Sequence, residues 1–437
     1  MSKKQNNISL VWFKNDLRTN DNRSLLKAIA NSHKVIGIYV FDPKQFDTNQ
    51  FGFIKTDKFR AQFLIETVKE LKANLESLNI SLFIYFKNTA KAINNLNETF
   101  NFDAIFYQKE WTKEEANCIT EVKTNLPLNI NFIDTYDQFL FHPEDISYQF
   151  KDIPRVFTEF RKKCEKESSI RALKKIESVL PKANLVNNIT STPTIKDLGL
   201  EEFTTSTKTA FPFKGGENEA LKRLENYFFE TKKLGFYKKT RNGLIGTDYS
   251  SKFSAWLANG SISSKTIYWK IKEFEQNNFK NESTYWLVFE LIWRDYFKYV
   301  SLKHGNKIFK IGGILNTDYG WETNKLKINK WINGQTKEPF VNANMLELKQ
   351  TGWMSNRGRQ NVASYFSKNL ELDWRIGASY FESQLIDYDV HSNYGNWMYI
   401  SGVGNDPRSR KFNVKLQSER YDTSGKFQRL WLQESLF

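Results

Sequence analysis

The sequence predicts an α/β domain built on a parallel sheet, followed by an all-α domain. Three observations carry this. Between residues 1 and 136 short apolar runs alternate with stretches of helical period, the pattern of parallel strands with helices crossing back over both faces. Beyond residue 208 the strand-like runs stop and apolar residues recur at helical spacing. Hydrophobic residues make up 40% of the 437, enough for two or three domains with cores of their own.

Taken in order, Ile8–Phe13, Val35–Phe41, Ile80–Phe86, Ala104–Tyr107 and Ile130–Ile133 read as strands. Helical stretches lie between them near 22–31, 57–78, 89–97 and 113–124. The first strand is not followed by GxGxxG, so the domain is Rossmann-like without the usual dinucleotide fingerprint. In its place stands Lys14-Asn-Asp16-Leu-Arg18-Thr-Asn-Asp21-Asn22, whose spacing alone suits helix capping. Patterning weakens over 137–207, with Ser, Thr, Asn and Pro clustered near 187–194 and 204–209. This part is expected to be a connector. Helices are then expected over 217–229, 253–258, 266–274, 285–304 and 331–353. Residues 208–437 form the second domain.

Within that domain Thr351–Pro407 is too unusual to be ordinary core. Ser355 is placed to cap a helix that carries Arg359, Val362, Ala363 and Phe366 on one face. Asp373 can cap a second, with Trp374 and Phe381 turned inward. Periodicity then ends. Asp387–Trp397, rich in carboxylates, amides and rings, is expected to be a polar loop, and loops that packing does not explain tend to carry function.

Charge and composition narrow the function. The net charge is +15, from 64 Lys and Arg against 49 Asp and Glu, which suits a polyanionic partner. Twelve Trp and 36 Phe are compatible with a chromophore pocket or with base stacking. Two cysteines, Cys118 and Cys164, exclude a disulfide framework or a Cys-rich metal site. No apolar run can span a bilayer. The polar start MSKKQNN lacks a leader's apolar stretch, and GKFQRLWLQESLF at the other end leaves no room for a long extension. A cytoplasmic monomer is expected.

Two motifs suggest chemistry. Ser250, Ser251, Lys252 and Ser254 stand just before a helix, where free N–H groups and the dipole favour phosphate; a simple serine cap fits the same spacing. Glu290 and Arg294 lie at i and i+4 among Phe289, Leu291, Ile292 and Trp293. Burial there would oblige each to find a partner.

The strings LVWFKNDLRTNDN, IPRVFTEFRKK, MSNRGRQNVAS and DYDVHSNYGNW resemble the photolyase/cryptochrome family, and its DASH branch in particular, and the resemblance covers essentially the full chain. It implies an antenna-binding domain over 1–136, a connector over 137–207 and an FAD- and DNA-binding domain over 208–437. It implies FAD held by Tyr237, by Ser250, Ser251, Lys252, Phe253 and Ser254 at the pyrophosphate, by Arg294, and by an Arg359–Asp387 salt bridge against the flavin ring. Asp389 is implied beside Asp387 at the isoalloxazine and ribityl, and Asn393 at flavin N5, where a neutral amide can donate or accept a hydrogen bond. Trp397, Trp374 and Trp321 match an electron-hopping chain, although a lone Trp is usually core. Glu290 is implied to hydrogen-bond lesion bases, Trp293 to line the lesion pocket, and Asn356 and Arg357 to sit between flavin and DNA.

Two positions depart from the duplex-repairing branch. Tyr399 stands where a second lesion-stacking Trp is usual, and Gln360 where Met is usual. A smaller ring and a more polar wall hold an extruded dimer less tightly, and single strands avoid most of the few kcal/mol that flipping costs. The function implied is blue-light-driven repair of cyclobutane pyrimidine dimers, preferentially in single-stranded DNA, by electron transfer from excited reduced FAD. The region from Phe106 to Glu115 resembles the place where relatives hold a folate, implying 5,10-methenyltetrahydrofolate as antenna with Glu110 or Glu114 as its partner. Two other readings stay open: a light sensor acting through flavin photoreduction, and a non-catalytic nucleic-acid-binding regulator.

Overall fold

The computed structural model describes residues 6–408 and 410–433. The expectations about a leader and a C-terminal extension rest largely on 1–5 and 434–437, outside the described residues. Five strands form one parallel sheet in the order β3-β2-β1-β4-β5: β1 (Asn6–Trp12), β2 (Ser32–Phe41), β3 (Leu82–Phe86), β4 (Ala104–Gln108) and β5 (Asn131–Thr135). In the central strand Leu10 is in register with Ile36 on one side and Ile105 on the other. Helices α1 (Arg23–Asn31) and α2 (Lys58–Ser77) pack on the face that carries Val11, Phe13 and Phe41. Helices α3 (Thr89–Phe100) and α4 (Lys113–Thr124) pack on the face of Leu10, Trp12 and Ile38. Covered on both sides, these strands need no polar alternation, so they read as continuous apolar runs.

The loop after β1 does more than cap. Asn22 does cap α1, accepting from Leu25 N. Arg18, however, is 2% exposed and reaches out of the domain, donating to Gly260 O at 3.0 Å and Asp137 Oδ2 at 2.7 Å. Lys265 Nζ lies 3.0 Å from Asp21 Oδ2. Buried Glu217 accepts from the backbone and side chains of Thr19 and Asn20 at 2.8–2.9 Å. Gly260, at φ +73°, lies so close that a Cβ there would stand 2.0 Å from Asn15 O. This loop is therefore the seam between the sheet and the helices, and its buried Arg18 and Asp21 are partnered across that seam.

Residues 139–164 lie in the same core as the helices. Phe139, Phe141, Phe157 and Phe160 pack with Tyr296 and Tyr299. Asp295, fully buried, accepts from Leu140 N and Phe141 N. Further on, Asn184 brackets the backbone of Val35 in β2, and Ile195, Leu198 and Leu200 close one face of the sheet domain.

Two expectations are corrected. The helix expected over 331–353 is two, Lys325–Ile332 and Pro339–Thr351, separated by a turn that holds Gly334 at φ +63° and is tied by Asn342 to Thr336. The expected polar loop over 387–397 is mostly a helix, Val390–Ser401, N-capped by Asp389, whose Oδ1 accepts from Ser392 N at 2.8 Å. It escapes a periodicity test because nearly all its faces are buried: His391, Asn393, Tyr394, Gly395, Trp397 and Met398 lie within the fold. Its amide N–H groups find carbonyls, Asn393 Nδ2 donating to Ala378 O at 2.9 Å and Asn396 Nδ2 to Ser392 O at 2.8 Å. Among the described residues no helix is long and apolar enough to cross a membrane.

Candidate functional site

The helix Glu282–His304 lies between the two parts of the site, and its 3.6-residue period sorts its polar side chains. Arg294 and Lys298 share one face. Arg294 is held by two carbonyls, donating to Gln138 O at 2.6 Å and Leu257 O at 2.9 Å. Lys298 Nζ lies 2.9 Å from Asp389 Oδ2. Burial opposes ionisation of Asp389, yet the basic groups around it, Lys298 foremost, outweigh it and hold the carboxyl far below its usual range. Lys298 was not singled out from sequence. Its spacing four residues beyond Arg294 was the available signal.

Close by, Arg359 Nη2 meets both oxygens of Asp387 at 2.9 and 3.0 Å, and its Nε donates to Met354 O. Ser355 fixes this register by capping the helix Asn356–Ser364 through Gly358 N. Asn393 spends its Nδ2 on Ala378 O, and among the described residues nothing donates to its Oδ1. Arg359 and Asp387 thus meet directly, and Asn393 follows one helical turn after the cap Asp389.

The serine loop ends in a helix of six residues, Ser254–Asn259. Buried Arg223 grips the loop from behind by the carbonyls of Thr247, Ser250 and Ser251 at 3.3 Å. The hydroxyls of Ser250, Ser251 and Ser254 make no hydrogen bond among the described residues. Lys252 is 2% exposed, in left-handed backbone at φ +67°, and its Nζ has no hydrogen-bond acceptor. The ammonium rests instead 3.3 Å from the Tyr249 ring centroid. Burial pulls its pKa well down. An orphaned buried amine beside free hydroxyls fits an anionic ligand group such as a pyrophosphate, whose charge would favour the protonated form. Glu347, unremarked in the sequence, is its electrostatic counterpart: burial pushes its carboxyl up to about 8, and one oxygen is unpartnered. Phe253 and Tyr237 are buried in the adjoining core.

Toward the surface a second group assembles. Glu290 Oε1 lies 2.7 Å from Arg241 Nη1, and burial raises its pKa. Arg357 donates to Gln360 Oε1 at 2.9 Å and to Asn242 Oδ1 at 3.1 Å. Trp293 stacks on Phe157 at 3.7 Å and meets Tyr399 edge-on at 5.8 Å. Asn356 is exposed at the start of its helix. Arg241 and Asn242 were missed by sequence reasoning.

Trp397 and Trp374 are buried, and Trp321 is partly exposed. Trp397 packs on Phe381 at 5.1 Å, Trp374 Nε1 donates to Ile311 O, and Trp321 Nε1 to Ser367 O. Trp331, also buried, lies 6.3 Å from Trp397.

A cavity of about 650 Å³ opens between the C-terminal edge of the sheet and the helices. Arg294, Lys298 and Asp389 line one end of it, and Glu110, Glu114 and Glu115 line another part. Glu110 is already engaged by Asn15 Nδ2 at 2.8 Å and Lys14 Nζ at 3.2 Å. Glu114 pairs with Lys55 at 2.6 Å and is mostly exposed. Glu115 has a buried oxygen without a partner, and burial, helped by nearby Glu110, pushes its carboxyl up to about 7. The free acid is therefore Glu115. Its position in the first turn of α4 gave no signal that set it apart from Glu114.

Comparison with known proteins identifies the family of the fold. Residues 9–181 match the family model for DNA photolyase, and residues 286–435 that for the FAD binding domain of DNA photolyase. A cryptochrome DASH of Gloeobacter violaceus is 43% identical over 97% of this chain and 85% of its own length. The crystal structure of a Synechocystis cryptochrome superposes with a TM-score of 0.93 at 42% identity, covering 97% of this chain and 88% of the other. A class III photolyase from Agrobacterium tumefaciens shares the fold, with a TM-score of 0.82 at 24% identity over 99% and 87% of the two chains.

Proposed function

Because this chain belongs to the photolyase/cryptochrome family, in its DASH branch, and carries the family's FAD-binding domain, we propose that it is a light-driven lyase. It repairs cyclobutane pyrimidine dimers, with a preference for single-stranded DNA. Bound FAD supplies the photochemistry, absorbing blue light and exchanging single electrons. Everything else falls to the chain's own groups.

Lys252 and the hydroxyls of Ser250, Ser251 and Ser254 take the pyrophosphate, with Tyr237 and Phe253 packing alongside. Arg294, Lys298 and Asp389 bind the middle of the cofactor, and the Arg359–Asp387 bridge orients its ring. Asn393 Oδ1, left free by the bond from Nδ2 to Ala378 O, accepts a hydrogen bond from a ring N–H. Trp397, Trp374 and Trp321 conduct electrons inward from the surface. Arg241, Arg357 and the overall positive charge engage phosphates, with Asn356 beside them. Glu290 leaves Arg241 for the lesion bases, while Trp293, Tyr399 and Gln360 form the wall against which the dimer rests. The part of the seam cavity lined by Glu110, Glu114 and Glu115, away from its Arg294, Lys298 and Asp389 end, would take 5,10-methenyltetrahydrofolate as antenna, with Glu115 the partner for the amino-lactam edge of the pterin and Glu110 and Glu114 flanking it. The protein acts as a monomer in the cytoplasm.

The observation that carries the repair reading is the edge-on pair Trp293–Tyr399, with Glu290 one helical turn before Trp293. It forms an aromatic corner with an acid beside it, as a flipped base pair of a dimer requires. The pair is smaller than two indoles, which supports the single-strand preference. Repair of one thymine dimer under blue light, measured in a single strand and in the matching duplex, tests both parts. Faster single-strand repair is expected. Equal rates remove the preference, and no repair on either substrate leaves the light-sensor reading.

A further inference from the structure

Ser301 decides the state of a histidine that the proposed function leaves unused. Its hydroxyl touches three groups: Lys298 O at 2.7 Å, Trp111 Nε1 at 2.7 Å and His391 Nδ1 at 2.8 Å. A hydroxyl has one proton and two lone pairs. Lys298 O can only accept, so the proton goes there. Trp111 Nε1–H can only donate, so it takes one lone pair. The second lone pair requires His391 to carry its proton on Nδ1. The opposite arrangement would leave two oxygens 2.7 Å apart with no hydrogen between them. The tautomer is thus set by the neighbour's bonding capacity, and Nε2 is left with a bare lone pair.

The ring cannot turn to spend that lone pair elsewhere. Trp111 stacks over it at 4.7 Å and 23°, and Phe139 stacks on the far side of Trp111 at 5.6 Å. Nothing among the described residues hydrogen-bonds Nε2, and the ring lines the cavity at the domain seam. Burial, reinforced by Lys298, keeps the imidazole neutral at physiological pH. The cavity wall therefore presents, on a rigid aromatic stack, one preoriented acceptor with no donor inside the protein.

We infer that His391 is a recognition residue for the ligand of this cavity, its Nε2 accepting an N–H of a pterin-class ring system. The inference rests on the reading that the cavity takes a reduced folate. It adds an acceptor to the acid at Glu115, so that the ring is held at two points rather than one. Such a pair selects for a heterocycle that carries N–H groups beyond its amino-lactam edge.

The test is the affinity of FAD-loaded protein for 5,10-methenyltetrahydrofolate, measured by equilibrium dialysis. His391→Asn keeps a donor for Ser301 but has no acceptor at the ε position, and is expected to bind about tenfold more weakly. His391→Gln, whose Oε1 reaches that position, is expected to stay within about threefold of the native protein. A second readout needs no variant. In native protein with ¹⁵N-labelled histidine, the resonance of the unprotonated Nε2 is expected to shift as folate saturates the site. Native affinity in His391→Asn, or an unmoved Nε2 resonance at saturation, overturns the inference while leaving the antenna reading intact. Failure of the native protein to bind the folate overturns both.

Discussion

Lys298 Nζ stands 2.9 Å from Asp389 Oδ2, with the two side chains only 4% and 11% exposed. The lysine comes from the helix Glu282–His304, and the aspartate caps the helix Val390–Ser401. One ion pair therefore joins the element that faces the sheet domain to the helix that carries Asn393 and Trp397.

Breaking this pair from one side should cost more than removing both partners. Lys298→Met leaves a buried carboxylate unpaired, a loss of about 3–5 kcal/mol. The double variant with Asp389→Asn should recover part of it, although Asp389 also caps its helix. FAD-to-protein ratio by absorbance and thermal midpoint, taken on all three variants, give the coupling directly.

Asp295 should make stability depend on pH. Burial raises its carboxyl to about 7, against the opposing bonds from Leu140 and Phe141. A raised folded pKa means that the native state holds the proton longer. Its stabilising contribution is therefore complete below about pH 4 and is lost as pH rises through about 7, with a slope of up to about 1.4 kcal/mol per pH unit. Asp295→Asn should be worth more, relative to the native protein, at pH 8 than at pH 5. Urea unfolding at the two values measures the difference, and an equal effect at both contradicts the assignment.

Gly377 should tolerate no side chain. A Cβ there would stand 2.2 Å from Trp397 Cη2, and the contact is with a fully packed indole. Gly377→Ala is expected to destabilise by about 1–3 kcal/mol and, by displacing Trp397, to slow light-driven bleaching of the bound flavin. Trp397→Phe should slow bleaching more strongly with little loss of stability, so the two variants separate packing from electron conduction.

Glu115→Ala should abolish antenna absorption in the near ultraviolet while leaving the FAD bands intact, since Glu115 lines the seam cavity at a part distinct from the Arg294, Lys298 and Asp389 end, and Lys252 and Asp387 lie outside the cavity lining. Glu114→Ala, at an exposed and already paired carboxylate, should change antenna occupancy less than twofold, in keeping with the small worth of a surface ion pair.

The sequence by itself determined the α/β-then-α order, the five strands and the capped helices at Ser355 and Asp373, because these rest on local periodicity and local hydrogen bonds. It also pointed to Arg294, Arg359, Asp387, Asp389 and Asn393, whose surrounding strings are distinctive. It misread 387–397 as a loop because a helix buried on nearly every side has no polar face to mark its period. It passed over Lys298, Arg241, Glu347 and His391, since each acquires its role from a neighbour 49 to 95 residues away in the chain. Only the tertiary structure could decide between Glu110, Glu114 and Glu115, because all three are carboxylates near one helix end. Burial and partner count separate them, and both are properties of the packed seam between the domains.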